Sequence, residues 1–196
     1  QAGVRYSITH PMTYVHNNYE CVVSLLDYVA HKKPQPAYVY ASSSSVYGLN
    51  KKIPFSELHA IDHPANLYGT SKFGNEQIAA AYHNIHGLKS VGLRFFTVYG
   101  PWGRPDMSPF LFVKRILEGT PIDVFNHGDH QRDFTYIDDI VEGVVRTSDQ
   151  PAQPNVNYDA AAPDSSTSNA PWRVFNIGCE RPVELLRYIE VIEECT

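Results

Sequence analysis

Between Met12 and His31 apolar side chains return at Val15, Tyr19, Val22, Val23, Leu26 and Val29, the spacing of one face of an α-helix. A proline opens the run and Lys32-Lys33-Pro34 closes it, with the lysines suited to the negative end of the helix dipole. The pattern then changes. Ala37 to Ala41, AYVYA, is a continuous apolar run of the kind found in a strand covered on both faces. A second helix is predicted from near Pro64 to Gly87, followed by a strand over SVGLRFF, Ser90 to Phe96. Shorter helices are predicted at about Ser108 to Glu118 and Ile137 to Thr147, then a strand over RVFNIG, Arg173 to Gly178, and a final amphipathic helix over Pro182 to Cys195. Residues 149–171 are rich in Pro, Ala, Asp, Asn and Ser without periodicity, which marks a surface loop longer than compact domains usually keep. Helices alternating with strands predict an α/β fold around a parallel sheet.

With 196 residues, 43% of them hydrophobic, the chain is ordinary for a globular domain or a piece of a larger one. A net charge of -5 offers no general attraction for nucleic acid or an anionic membrane. No apolar stretch approaches the roughly 20 residues of a membrane span, and QAGVRYSITHP lacks the plan of a signal peptide. A cytoplasmic protein is expected. Cys21, Cys179 and Cys195 are odd in number and far apart, which suits reduced thiols better than a disulfide framework. The pairs His59 with His63, His83 with His86 and His127 with His130 have spacings open to a metal. None adds a carboxylate or thiolate set, so no metal site is assigned.

Candidate chemistry begins where the first strand runs into ASSSSVYG. In open α/β sheets ligands bind at the carboxyl ends of the strands, so hydroxyls there are placed to meet a substrate oxygen. The alternative is a set of turn-forming serines bonded to nearby backbone. Tyr-x-x-x-Lys occurs three times, at Tyr28 with Lys32, Tyr47 with Lys51 and Tyr68 with Lys72. On a helix this spacing puts both side chains on one face, and an ammonium beside a phenol favours the phenolate, a base. The first pair ends a helix and the second spans a turn with Gly48 and Asn50. Only Tyr68 and Lys72 open a helix that follows the serine strand.

SSSVYG from Ser43, YGTSK from Tyr68, LRFFTVYGPWGRPDM and RDFTYIDDI together resemble, in order, the extended short-chain dehydrogenase/reductases that act on nucleotide sugars. GPWGRPDM, QPNVNY and RVFNIG look most like the UDP-glucuronate 4-epimerases. The resemblance implies the C-terminal part of a Rossmann-type parallel sheet plus part of a small α/β substrate-binding domain. The expected division is a catalytic and NAD-binding region over 1–100 and a substrate-binding, sheet-completing region over 101–196.

It further implies that Tyr68, assisted by Lys72, removes the proton from the sugar 4-hydroxyl while NAD takes hydride from C4 and later returns it to the other face. Ser43 matches the residue bonded to the 4-oxygen, with Ser44 and Ser45 nearby. Asn18, Tyr68, Lys72, Phe95 and Val98 match cofactor positions, and Thr97 a sugar-nucleotide contact. Arg104 has the planar fork that suits a C6 carboxylate, its alternative being a pair with Asp106 or a turn cap. Arg132 matches a pyrophosphate clamp, its alternative being a salt bridge to Asp133 or Asp138. Asp138 and Asp139 read as a helix start. Related dehydratases carry Thr-Asp-Glu where this chain has Ser43, Ser44 and Ser45, and UDP-glucuronate decarboxylases carry Glu at the position of Ser45. Hydroxyls there favour epimerisation over loss of water or carbon dioxide.

The Gly-rich turn of a dinucleotide site does not occur before Tyr68, so the chain is expected to be a partial one lacking its N-terminal cofactor segment. The expected function is C4 epimerisation of UDP-glucuronate by the complete protein, as a homodimer joined through its two long helices. The alternatives are a non-catalytic paralogue that binds a nucleotide sugar or a family subunit, and a UDP-glucose 4-epimerase.

Overall fold

The computed structural model describes residues 1–196, apart from the side chain of Phe125. Its first elements are α1 (Val4–Thr9), α2 (Pro11–Val15), a π-helical turn (His16–Glu20), α3 (Cys21–His31), β1 (Tyr38–Ser43), a 3-10 turn (Ser44–Tyr47) and α4 (Leu67–His86). There follow β2 (Ser90–Phe95), β3 (Thr97–Tyr99), α5 (Ser108–Leu117), β4 (Gln131–Tyr136), α6 (Ile137–Asp149), β5 (Trp172–Ile177), β6 (Pro182–Glu184) and α7 (Leu185–Cys195). They fall into two compact units, Gln1–Phe95 with Glu142–Ile177, and Phe96–Val141 with Gly178–Thr196.

The first unit is built on three parallel strands in the order β1-β2-β5. Central β2 is buried along nearly its whole length, which is why its sequence shows no alternation. Side chains still divide by face. Tyr40, Trp172 and Val174 pack with Ala79 of α4, while Val91, Leu93 and Ala152 pack with Val39, Phe95, Val144 and Ile177. Gly92 faces Tyr40 across the ladder, and a β-carbon there would lie 2.7 Å from the Tyr40 ring. Only glycine leaves room for that ring.

Helix α4 begins where Asn66, in extended conformation, accepts a hydrogen bond from the Gly69 N–H, an N-cap that places the start three residues after Pro64. It ends at Gly87, whose φ of 64° is the left-handed C-terminal stop. The expected helix over Met12–His31 is present but carries the π-helical turn at its middle. Strand β1 continues two residues beyond AYVYA, so Ser42 and Ser43 belong to the ladder, opposite Arg94 and Phe95.

In the second unit β4 pairs in parallel with β3 and antiparallel with β6. The expected helix start at Pro182 is corrected to this short edge strand, where a proline without an N–H is tolerated. Asp133 turns the chain back by accepting the N–H groups of Cys179 and Glu180. Tyr188 of α7 then lies 4.8 Å from the Phe134 ring and 6.0 Å from Phe112. Asp138 and Asp139 lie in the first turn of α6, the favourable end of its dipole. No helix among the described residues is long and apolar enough to cross a membrane.

Candidate active site

The serine row sits at the carboxyl end of β1, where the backbone leaves the sheet through the 3-10 turn. Ser43 Oγ accepts from the Ser45 N–H at 3.2 Å. The turn-forming reading therefore holds for one lone pair of Ser43 and leaves its proton free to serve another acceptor. The turn closes at Gly48, with a φ of 54°, and Leu49 N–H bonds the His63 carbonyl. This brings the chain back toward the start of α4.

Tyr68 and Lys72 occupy the first two turns of α4. Between them, Gly69 lies against the serine turn so closely that a β-carbon would fall 2.5 Å from the Ser45 carbonyl oxygen. The tyrosine and the serines are thus held together by backbone packing. The Tyr14 ring stands edge-on to Tyr68 at 6.2 Å. Lys72 Nζ donates to the Ala41 carbonyl at 2.9 Å, which spends one of its three donors, and burial pushes its ammonium below the usual lysine range. The other two Tyr-x-x-x-Lys pairs have different surroundings. Lys32 lies over the Tyr28 ring, 4.9 Å from its centre, and Tyr47 is buried with its hydroxyl on Asn176 and Arg94.

Asn18 is buried within the π-helical turn and donates to Ser71 Oγ at 2.8 Å. Its carbonyl accepts from Asn75, so the turn is stitched to α4 next to Lys72. Phe95 stands opposite Ser43 in the β1–β2 register.

In the second unit, Thr97 and Val98 form β3. Arg104 presents Nε and Nη2 to the two carboxylate oxygens of Asp106 at 3.0 and 2.5 Å, and this pairing holds the Asp106 carboxyl below the usual range. Arg132 is exposed and donates to the Gln131 carbonyl. Its suggested neighbour Asp133 instead serves the backbone of Cys179 and Glu180.

Two residues of the first unit were not singled out from the sequence. Glu76 of α4 and Arg94 of β2 form an ion pair at 2.8 Å, both wholly buried. Its signal was an arginine inside an otherwise apolar strand, a position that a charged side chain holds only with a partner.

A parallel sheet with hydroxyls at its strand ends, packed against a helix that opens on tyrosine and lysine, defines a Rossmann-type α/β protein. The chain belongs to the NAD dependent epimerase/dehydratase family, which it matches over residues 1–161. It is 50% identical to protein CapI of Staphylococcus aureus over 193 residues, covering 98% of this chain and 58% of that protein. With UDP-glucuronate 4-epimerase 1 of Arabidopsis thaliana it shares 47% over 197 residues, covering 99% of this chain and 45% of the plant protein. Among solved structures, the UDP-glucuronic acid 4-epimerase of Bacillus cereus in complex with UDP-glucuronic acid and NAD matches at a TM-score of 0.77 and 32% identity. That match covers 98% of this chain and 56% of the bacterial one. The chain thus spans about half the length of these relatives.

Proposed function

We propose that this chain carries the catalytic base and substrate-binding residues of an NAD-dependent 4-epimerase of UDP-glucuronate. The observation that supports it most is the packing of Gly69 on Ser45, which brings the first turn of α4, the turn that carries Tyr68, against the serine turn at the sheet's carboxyl end. The donor set also suits the nicotinamide-ribose end of NAD. Lys72 keeps two N–H donors beyond the one spent on Ala41, beside the Tyr68 phenol, with Asn18, Phe95 and Val98 as further contacts.

NAD, when bound, supplies the acceptor and donor of hydride for C4. Tyr68 takes the proton of the sugar 4-hydroxyl and returns it after the 4-keto intermediate has presented its other face. Lys72, one helical turn away, supplies the positive charge that a phenolate base requires. Ser43 bonds the 4-oxygen through its free proton, with Ser44, Ser45 and Thr97 lining the sugar. Arg132 takes the pyrophosphate and Arg104 the C6 carboxylate. Holding that carboxylate matters, because a 4-keto uronate is a β-keto acid prone to lose carbon dioxide.

A second reading, UDP-glucose as substrate, is favoured by one observation: the Arg104 fork is engaged by Asp106. For assembly, the reading is a homodimer through α3 and α4, whose Leu25, Tyr28 and Ile85 are exposed. The test is to incubate the protein in its natural full-length form with NAD and UDP-glucuronate and identify the product. UDP-galacturonate supports the proposal. UDP-xylose, or turnover confined to UDP-glucose, contradicts it.

A further inference from the structure

Ser42, Glu76 and Arg94 form a desolvated junction between the helix and the strands that carry the candidate active site. Glu76 lies one turn beyond Lys72 and two beyond Tyr68 on α4. Its Oε1 accepts from Ser42 Oγ at 2.5 Å and from Arg94 Nε at 2.9 Å, and its Oε2 accepts from Arg94 Nη2 at 2.8 Å. Arg94 Nη1 donates to the Tyr47 hydroxyl at 3.0 Å, which donates to Asn176 Oδ1 at 2.7 Å. Asn176 Nδ2 continues to the Phe55 carbonyl. The junction therefore ties α4, β1, β2, β5 and the chain after the serine turn.

A buried ion pair is a poor stability device, because apolar side chains of similar volume often stabilise as well or better. What the pair provides is direction. Charge-assisted bonds have narrow geometry, and these end on Ser42, the residue before Ser43. One turn away, Lys72 bonds the carbonyl of Ala41, the residue before Ser42. Two bonds therefore hold α4 to consecutive residues at the end of β1.

We propose that Glu76 and Arg94 are positioning residues that act through Ser42. They fix the distance between Tyr68 and Lys72 on α4 and Ser43 at the end of β1. The inference rests on the proposed reaction for its catalytic consequence, though not for the positioning itself.

The test compares full-length wild type with Ser42→Ala, Ser42→Thr and the double variant Glu76→Met with Arg94→Met. Ser42→Ala removes one charge-assisted bond and leaves the ion pair. Amide exchange over residues 43–46 and 68–72 should quicken about tenfold, and kcat for UDP-glucuronate should fall about tenfold at nearly constant KM. Ser42→Thr, which keeps the hydroxyl, should restore both. The double variant exchanges the pair for apolar side chains at little cost in itself but strands the buried Ser42 hydroxyl, so adding Ser42→Ala to it should recover the melting temperature while kcat stays low, which a merely structural role does not predict. Unchanged exchange in both segments of Ser42→Ala overturns the positioning claim, and unchanged kcat overturns its catalytic consequence. A wild type that turns over no UDP-sugar overturns the proposed function instead, and the exchange comparison alone then decides the positioning.

Discussion

Arg104 closes a two-point ion pair on Asp106, only two residues along the same loop. The fork that would grip a uronate carboxylate is thus already oriented, and already engaged, by a carboxylate of the protein. Removing that competitor should favour the substrate. Asp106→Ala should lower KM for UDP-glucuronate while leaving KM for UDP-glucose unchanged. Both partners are substantially exposed, and such pairs are worth at most about 1 kcal/mol, so the gain should not exceed about fivefold. Arg104→Ala should abolish uronate turnover, and steady-state kinetics on both sugars reads out each variant.

Tyr68→Phe removes the proposed base and keeps the ring against Tyr14. Turnover should fall by about 10²–10⁴-fold, the usual weight of a positioned general base, with UDP-sugar affinity by calorimetry retained. A variant with undiminished kcat would remove Tyr68 from the chemistry.

The architecture was legible where the apolar pattern was strong. β1, β2 and β5 are covered by neighbours, so burial wrote itself into their composition, whereas α4, whose buried residues are mostly polar, was bounded by Pro64 and Gly87. β3, β4 and β6 were not foreseen, because TVY and PVE are only three residues long, and QRDFTY, as long as the other strands, is polar and largely exposed, so none carries an apolar signal. Nor does a π-helical turn differ from α-helix in composition. At the site, spacing and order singled out Tyr68 and Lys72 as candidates. The resemblance singled out Ser43 among the four serines but not the partners that the structure gives them: Ser42 serves Glu76 and Ser43 caps the turn. Those partners depend on long-range packing that no local pattern encodes.

His83 should make stability depend on pH. It is 1% exposed, its Nδ1–H donates to the Leu88 carbonyl, and burial pushes its pKa below the ordinary histidine value. The unfolded chain takes up this proton near pH 6.5 while the fold resists it. The contribution is therefore complete above about pH 6.5 and declines as pH falls below it, by at most about 1.4 kcal/mol per pH unit. Urea unfolding of wild type and His83→Gln at pH 7.5 and pH 5.5 should show the smaller acid loss in the variant.

Gly48 and Gly87 both have positive φ, 54° and 64°, but only Gly87 is left-handed helical, Gly48 having ψ of -120°, and their surroundings differ. A β-carbon at Gly48 would lie 2.0 Å from the His63 carbonyl oxygen, whereas one at Gly87 would meet nothing within 4 Å. Gly87→Ala should cost only the conformational strain, about 1 kcal/mol. Gly48→Ala should cost clearly more, since backbone must move as well, and thermal melts of the two variants compare them directly.

In the proposed reaction hydride leaves C4 of the sugar and returns to the same carbon from the other side. UDP-glucuronate carrying deuterium at C4, turned over by the full-length protein with NAD, tests this most directly. The expected product is UDP-galacturonate that retains the deuterium at C4, formed more slowly than from unlabelled substrate when hydride transfer limits the rate. Loss of the label to solvent at C4, or product that has lost its carboxylate, would contradict it.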